Sequence, residues 1–349
     1  MTISYSEYDN EKAIADFFTK TSAARSACDA RAIELVEGSV IPVEAQGNCS
    51  YSVYAGPELE YVVQFRLKSL KLKTGTTAMA RKIYGVLASE VSFEGEMGDD
   101  RDGKEPLYVY LMGRMQGVTH LDFILAHGFP ENSQENFTRR KTFMVDMARF
   151  FAISWKNPQK VDSAYRDQLG QTYVKELRLL LSALPNRFHA IIERCIKSMD
   201  DLLSLPMVLL HQDFSTCNII VDETSCHLVG VIDWAGAEIC PFGLNLDSLQ
   251  AFTGKLDYRQ GWTRYQDYTG LQDTFWDVFT QEVGGLTETE IRAIKLARVT
   301  GLLLSHGFTR RLANEPPAVP IGDDEDGRYN MLSLDGFLID PATRFEDLD

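Results

Sequence analysis

Between His211 and Asp233 the chain reads HQDFSTCNIIVDETSCHLVGVID, with more polar groups than a buried strand pair needs. The spacing His211-x-Asp213-x-x-x-x-Asn218 opens the stretch. The apolar run Ile219–Val221 follows, Asp222 to Cys226 are turn-formers, and Leu228–Ile232 leads back to Asp233. The midpoint of 218 and 233 falls inside that turn, so an antiparallel pairing centred there sets Asn218 opposite Asp233. An amide oxygen and a carboxylate brought together at a strand end suit a hard divalent cation such as Mg²⁺. Asp213, on the loop entering the hairpin, is placed to address a different atom of the same site. One acid to take the proton of an attacking hydroxyl, with an Asn–Asp pair to hold metal on nucleotide phosphates, is the division of labour of phosphoryl transfer. His211 fits as a structural residue that fixes the loop through hydrogen bonds. Singly, Asp213 and Asn218 are ordinary turn residues and Asp233 an ordinary strand cap; their joint spacing is what reads as a site.

The elements that must position these residues fall into two groups. Residues 1–38 read as helical, with Ala13, Ile14, Phe17 and Phe18 at helical spacing, and Pro42 ends any helix. A strand–turn–strand pattern surrounds the polar loop Gln46-Gly47-Asn48-Cys49-Ser50, and YVVQFR from Tyr61 reads as a further strand. One glycine is a weak phosphate-loop signal, and a plain hairpin explains that loop equally well. Thr76–Leu87 suits a helix, Val91–Phe93 a strand, Glu94–Glu105 a charged loop, and Leu107–Met112 a strong strand. Beyond Gly113 the pattern becomes mainly helical: Leu121–Phe129, Phe137–Trp155, Tyr165–Leu184, Arg187–Leu205, Tyr258–Thr269, Thr274–Glu282 and Thr287–His306. The last opens with a Thr287-x-x-Glu290 capping box. The expectation is an α+β chain: a small N-terminal lobe (1–112, helical extension 1–38, then an antiparallel sheet) and a larger, mainly helical C-terminal lobe (113–349). Aromatics at Phe252, Tyr258, Trp262, Tyr265 and Trp276 are candidates for an acceptor pocket, although helical spacing equally describes core.

The chain has 349 residues, is 44% hydrophobic and 24% charged, and carries a net charge of −15. Ten acids against two bases lie between Glu315 and Asp349, so that segment holds −8 of the total. A mobile acidic tail is the simplest reading, although MLSLDGFLI within it is apolar enough to dock. No basic stripe offers itself to phosphodiester backbones, which excludes a nucleic-acid partner. No apolar run approaches the roughly 18 residues that span a bilayer. The acidic N-terminus lacks a secretory pattern, so a cytoplasmic location and reduced thiols are expected. The six cysteines, Cys217 and Cys226 beside the hairpin among them, show no C-x-x-C pair.

HQDFSTCNIIVD followed by VIDWAGAEICPFG resembles the catalytic loop and metal-binding segment of aminoglycoside/choline kinase-like phosphotransferases. More narrowly it resembles a large group of fungal phosphotransferase enzyme family proteins. QGNCSYSVY resembles the nucleotide loop, YVVQFR the third strand and LYVYLMGRMQGVT the hinge. The resemblance implies a two-lobed protein-kinase-like fold and an ATP- and Mg²⁺-dependent kinase acting on a hydroxyl of a small molecule, monomeric or weakly dimeric. It makes Asp213 the base, Asn218 and Asp233 the metal ligands and His211 structural. Gly47, Asn48, Ser50, Gln64, Arg66, Tyr110 and Met112 become the nucleotide contacts, the last two through hinge backbone. Trp234 and Glu238 fall on the acceptor side. The family's third-strand lysine is absent, with Gln64 and Arg66 on one face of that strand, and so is its partner glutamate on the next helix. Two other readings therefore stand beside the kinase: a pseudokinase-type metabolite-binding protein, and a kinase-fold enzyme of secondary metabolism catalysing a different reaction.

Overall fold

The structure, a computed structural model, describes residues 9–309, 312 and 314–346; residues 1–8 of the expected helical extension lie outside the described residues. The chain divides into two units. One comprises Met1–Arg81, Ala88–Met115 and Leu312–Pro316; the other comprises Lys82–Leu87, Gln116–Arg311 and Pro317–Asp349.

In the first unit, α1 (Asn10–Phe18) starts where the Asp9 carboxylate accepts from Lys12 N, and α2 (Arg25–Val36) follows. After them come β1 (Ser39–Pro42), β2 (Ser50–Gly56), β3 (Tyr61–Leu67), α3 (Thr74–Tyr84, whose last turn belongs to the second unit), β4 (Val91–Met97) and β5 (Leu107–Gly113). The strands form one antiparallel sheet in the order β1-β2-β3-β5-β4. Alternation fixes its two faces. Tyr51, Val53, Val63, Phe65, Leu107 and Val109 form a core with Ile14, Phe17, Cys28 and Ala32 of the helices. The intervening positions, Ser50, Ser52, Gln64, Arg66 and Tyr110, therefore share the opposite face. β4 runs past the expected Phe93 because a register shift at Gly95 (φ 115°) lets pairing with β5 resume.

The second unit begins with β6 (Val118–Thr119) and α4 (His120–His127), whose cap is the Thr119 hydroxyl accepting from Asp122 N. Then come α5 (Gln134–Lys156), α6 (Ser163–Ala183), α7 (His189–Lys197) and α8 (Met199–Ser204); α7 and α8 are one expected helix broken at Ser198. β7 (Met207–Leu210), β8 (Ile219–Val221), β9 (Leu228–Val231) and β10 (Glu238–Pro241) carry the site. β10 pairs with β7, and β8 lies between β6 and β9.

After α9 (Ser248–Phe252), the helix expected over 258–269 is instead a hairpin of β11 (Gly254–Asp257) and β12 (Gly261–Arg264). Asp257 accepts from the amides of Arg259 and Gln260 at 2.8 Å each, and Gly261 (φ 83°) completes the turn, so the chain reverses rather than coils. α10 (Tyr268–Val283), α11 (Glu288–His306, with the Thr287/Glu290 capping box formed) and α12 (Arg328–Leu338) complete the unit. Up to residue 346 the tail read as mobile is folded: Asp324 caps Gly327 N, and α12 buries Met331, Leu334, Phe337 and Leu338. No helix among the described residues is long and apolar enough to cross a membrane.

Candidate active site

β7 delivers the chain to His211, which is buried and whose Nε2 lies 2.7 Å from the Ile232 carbonyl. A carbonyl only accepts, so Nε2 carries the proton and Nδ1, which has no hydrogen-bond partner, does not. Burial holds the imidazole below its ordinary pKa despite the bond to Ile232 and the nearby Asp233 and Asp213 carboxylates. His211 is therefore a neutral donor that ties the start of the loop to the end of the hairpin. It sits edge-on to Trp234 at 4.9 Å.

Asp213 is exposed, and its amide donates to the His211 carbonyl at 2.9 Å. The Asn218 side-chain nitrogen donates to both the Asp213 carbonyl (2.9 Å) and Asp213 Oδ2 (3.1 Å). Two acceptors fix which end of that amide is nitrogen, and the amide oxygen is the atom that could take a metal. The expected pairing of Asn218 with Asp233 is corrected by one residue. Ile219 pairs with Val231 and Ile220 with Gly230, but Val221 pairs with Leu228, so Val229 is an extra residue in β9. Ile232 N accordingly donates to the Asn218 carbonyl at 2.9 Å, and Asp233 is the next residue, exposed and in the left-handed conformation (φ 59°, ψ 59°). Among the described residues no group of three or more His, Cys, Asp or Glu side chains is arranged to hold a metal. The donor set here is instead one amide oxygen and one carboxylate, which suits Mg²⁺, an ion bound by one or two protein oxygens with substrate phosphates filling the rest.

Trp234 does not line an acceptor site. Its ring is 5% exposed, its indole N–H donates to Val231, and it packs on Tyr84 (4.8 Å) beneath the loop. Glu238 is exposed at the start of β10, opposite Leu210 and so next to the residue that opens the loop. The aromatics read as pocket walls are packed into other contacts, and Phe252 and Trp276 belong to one cluster through Phe214, Phe151 and Phe275. Phe252 packs on Phe143 at 5.3 Å, Trp262 on Phe337 at 4.6 Å, Trp276 on Phe275 at 5.4 Å and Tyr258 on Tyr329 at 6.1 Å. Tyr265 lies under the Arg140 guanidinium at 4.5 Å.

In the first unit, Gly47 has no positive φ, and a Cβ there would meet only Ser50 Oγ at 3.9 Å, so its backbone does not demand glycine. The Asn48 carbonyl accepts from Lys20 Nζ. The loop is closed by Gln46, whose amide accepts from Ser52 N and donates to Ser52 O, both at 2.8 Å, a latch its sequence does not announce. Gln64 donates to the hydroxyls of Ser50 and Ser52 at 3.3 Å and accepts from Arg66 at 3.3 Å; Arg66 Nε donates to the Leu70 carbonyl at 2.9 Å. Tyr110 is buried, and its hydroxyl accepts from Leu72 N. The expected hinge backbone lies within the sheet: Tyr110 and Met112 are paired to β3 on one side and β4 on the other, Gly113 pairs with Tyr61 and its carbonyl accepts from Ser89 Oγ at 2.9 Å, and Arg114 N donates to the Glu60 carbonyl at 2.8 Å.

The sequence profile of the phosphotransferase enzyme family matches residues 60–254, more than half of the chain, and the chain belongs to that family. No curated protein matches it. Among solved structures it is similar to a Ralstonia eutropha protein provisionally described as an aminoglycoside phosphotransferase, at 13% identity over 80% of this chain and 97% of that one, with a TM-score of 0.50. It is also similar to the aminoglycoside phosphotransferase APH(3'')-Id of Streptomyces rimosus (12% identity, 75% and 92% covered, TM-score 0.43) and to a macrolide 2'-phosphotransferase of type I (14%, 81% and 91%, 0.46). The first of these likenesses shows the fold: an antiparallel-sheet unit followed by a mainly helical one.

Proposed function

We propose that the protein is an ATP- and Mg²⁺-dependent kinase that phosphorylates a hydroxyl of a small molecule, with Asp213 as base and Asn218 and Asp233 as metal ligands. The observation that carries this reading is the Asn218 amide bonded to Asp213 while its backbone carbonyl holds Ile232, one residue before Asp233. One residue, through its side chain and its backbone, thereby couples the base to the ligand pair. In the step, the acceptor oxygen bonds to the γ-phosphorus, its proton passes to Asp213, the bond to the β–γ bridging oxygen breaks and ADP leaves. Asn218 and Asp233 would hold Mg²⁺, which when bound would supply positive charge to the phosphate oxygens. Asn218 restrains one Asp213 oxygen, which leaves the other to receive the proton. Arg66, oriented by Gln64, supplies the positive charge that a third-strand lysine supplies elsewhere, though a planar guanidinium fork is not an ammonium.

Expected outcomes are direct. MgATP raises the Tm of the wild type and not of Asp233→Ala, and Asp213→Asn lowers turnover by a factor of about 10² to 10⁴. Absence of MgATP binding at millimolar concentration rules the proposal out. A binding-only reading is favoured by one observation, the tethering of Arg66 to Gln64 and Leu70 inside its own unit. Binding of MgATP with no turnover across a panel of hydroxyl-bearing metabolites would select it.

A further inference from the structure

The link between His211 and Asp213 is a three-residue turn, because Asp213 N donates to the His211 carbonyl across Gln212 alone. Gln212 has φ 64°, so this γ-turn is of the rarer form with a positive central φ, which is strained for any residue other than glycine. Such a turn persists only where its surroundings hold it. One hold is on His211, through Ile232. The other is on Gln212 itself, whose Nε2 donates to Cys240 Sγ at 3.3 Å. Cys240 is buried in β10, opposite Val208 of β7. Tyr165, eight residues earlier and so on the same face of α6, donates to the neighbouring Ile239 carbonyl at 2.9 Å. Helix α6 thus fastens β10 at Ile239, next to Cys240, and Cys240 fastens the turn.

We propose that Gln212 is a positioning residue: its amide bond to the Cys240 sulfur holds the strained turn that sets the direction of Asp213. The proposal rests on the reading of Asp213 as base. Gln212→Met keeps the length of the side chain and removes the donor, and Cys240→Ala removes the acceptor. The full chain is assayed for MgATP hydrolysis, with water as acceptor, and for hydrogen exchange at the Asp213 amide. Each single variant is expected to lower kcat about tenfold, since misplacing a catalytic group by a fraction of an ångström costs that much, while KM for MgATP changes less than about twofold. The double variant is expected to be no worse than the worse single, because both substitutions break one bond. Exchange at Asp213 quickens in all three. Additive losses in the double variant, or wild-type exchange at Asp213 in Gln212→Met, overturn the proposal. If the wild type hydrolyses no MgATP, the kinase reading is judged by MgATP binding and the metabolite panel, and exchange decides the anchor alone: faster exchange in Gln212→Met sustains it, unchanged exchange ends it.

Discussion

His120, His211 and Asp247 are buried ionisable groups whose proton affinities move in opposite senses. His120 stacks on Phe143 at 3.9 Å with Nδ1 unbonded, and burial pushes it down from 6.5 to about 3; burial lowers His211 as well. Burial pushes Asp247 up from 3.8 to about 7, against the Ser305 hydroxyl bonded to it. Between pH 6.5 and 4 the unfolded chain binds protons on the histidines that the folded chain refuses, so acidification destabilises through them. Over the same window folded Asp247 holds a proton that the unfolded chain has released, so acidification stabilises through it. The two effects offset, and the wild-type profile should be shallow there. Asp247→Asn should lose stability more steeply as pH falls through this window, and His120→Phe less steeply, each by about 2 kcal/mol relative to wild type. Urea midpoints measured against pH check this; three parallel profiles would contradict it.

At the scale of elements, α11 and the segment before α9 meet at backbone distance. A Cβ on Gly301 would overlap the Leu244 carbonyl, and one on Gly243 (φ 97°) would press on Ala297 and Ile294 of the same helix. Gly301→Ala should therefore destabilise the second unit by about 3 kcal/mol, an overpacking cost with no flexible side chain to yield. Gly270→Ala, where nothing lies within 4 Å, is the control and should be neutral or stabilising. Equal denaturation midpoints for the two variants would contradict the contact. Elements were legible where the signal is local. The capping box of α11 and the alternation of β3 and β5 sit in consecutive residues. The hairpin β11–β12 was missed because Asp257 and Gly261 look, in sequence, like polar positions on a helix face. Within the site, the spacing of His211, Asp213, Asn218 and Asp233 carried the reading. The register did not follow from that spacing, because the extra residue Val229 is a property of pairing. The positive φ of Gln212 had no signal at all.

At the scale of the whole chain, charge pointed one way and packing another. The segment after Glu315 is the most acidic part of the sequence, yet its later half is core. Asp335 takes a two-point bond from Arg187 (2.5 and 2.8 Å), and Asp323 lies 3.7 Å from the same guanidinium. Phe345 is buried beneath Arg298 at 4.1 Å, Arg264 donates to the Thr343 carbonyl, and Gly336 lets α12 lie directly on Trp262. The segment spends its charges on its outer side and its apolar residues on α11 and β12. Fully burying Met331, Leu334, Phe337, Leu338 and Phe345 contributes about 1.5–3 kcal/mol each, together comparable with the whole stability of a domain, about 5–15 kcal/mol. A chain ending at Val319 should therefore fail to form a stable second unit and should aggregate through the exposed faces of Trp262 and α11, although nine acids and two bases leave with the segment and the net charge goes from −15 to −8. Substituting asparagine or glutamine for Asp323, Asp324, Glu325 and Asp326 in the full chain removes four of those charges and should change the urea midpoint little, since exposed charges contribute little individually. A soluble, cooperatively unfolding truncation, or a collapse in stability on neutralising the four acids, would mean that charge rather than burial holds the segment.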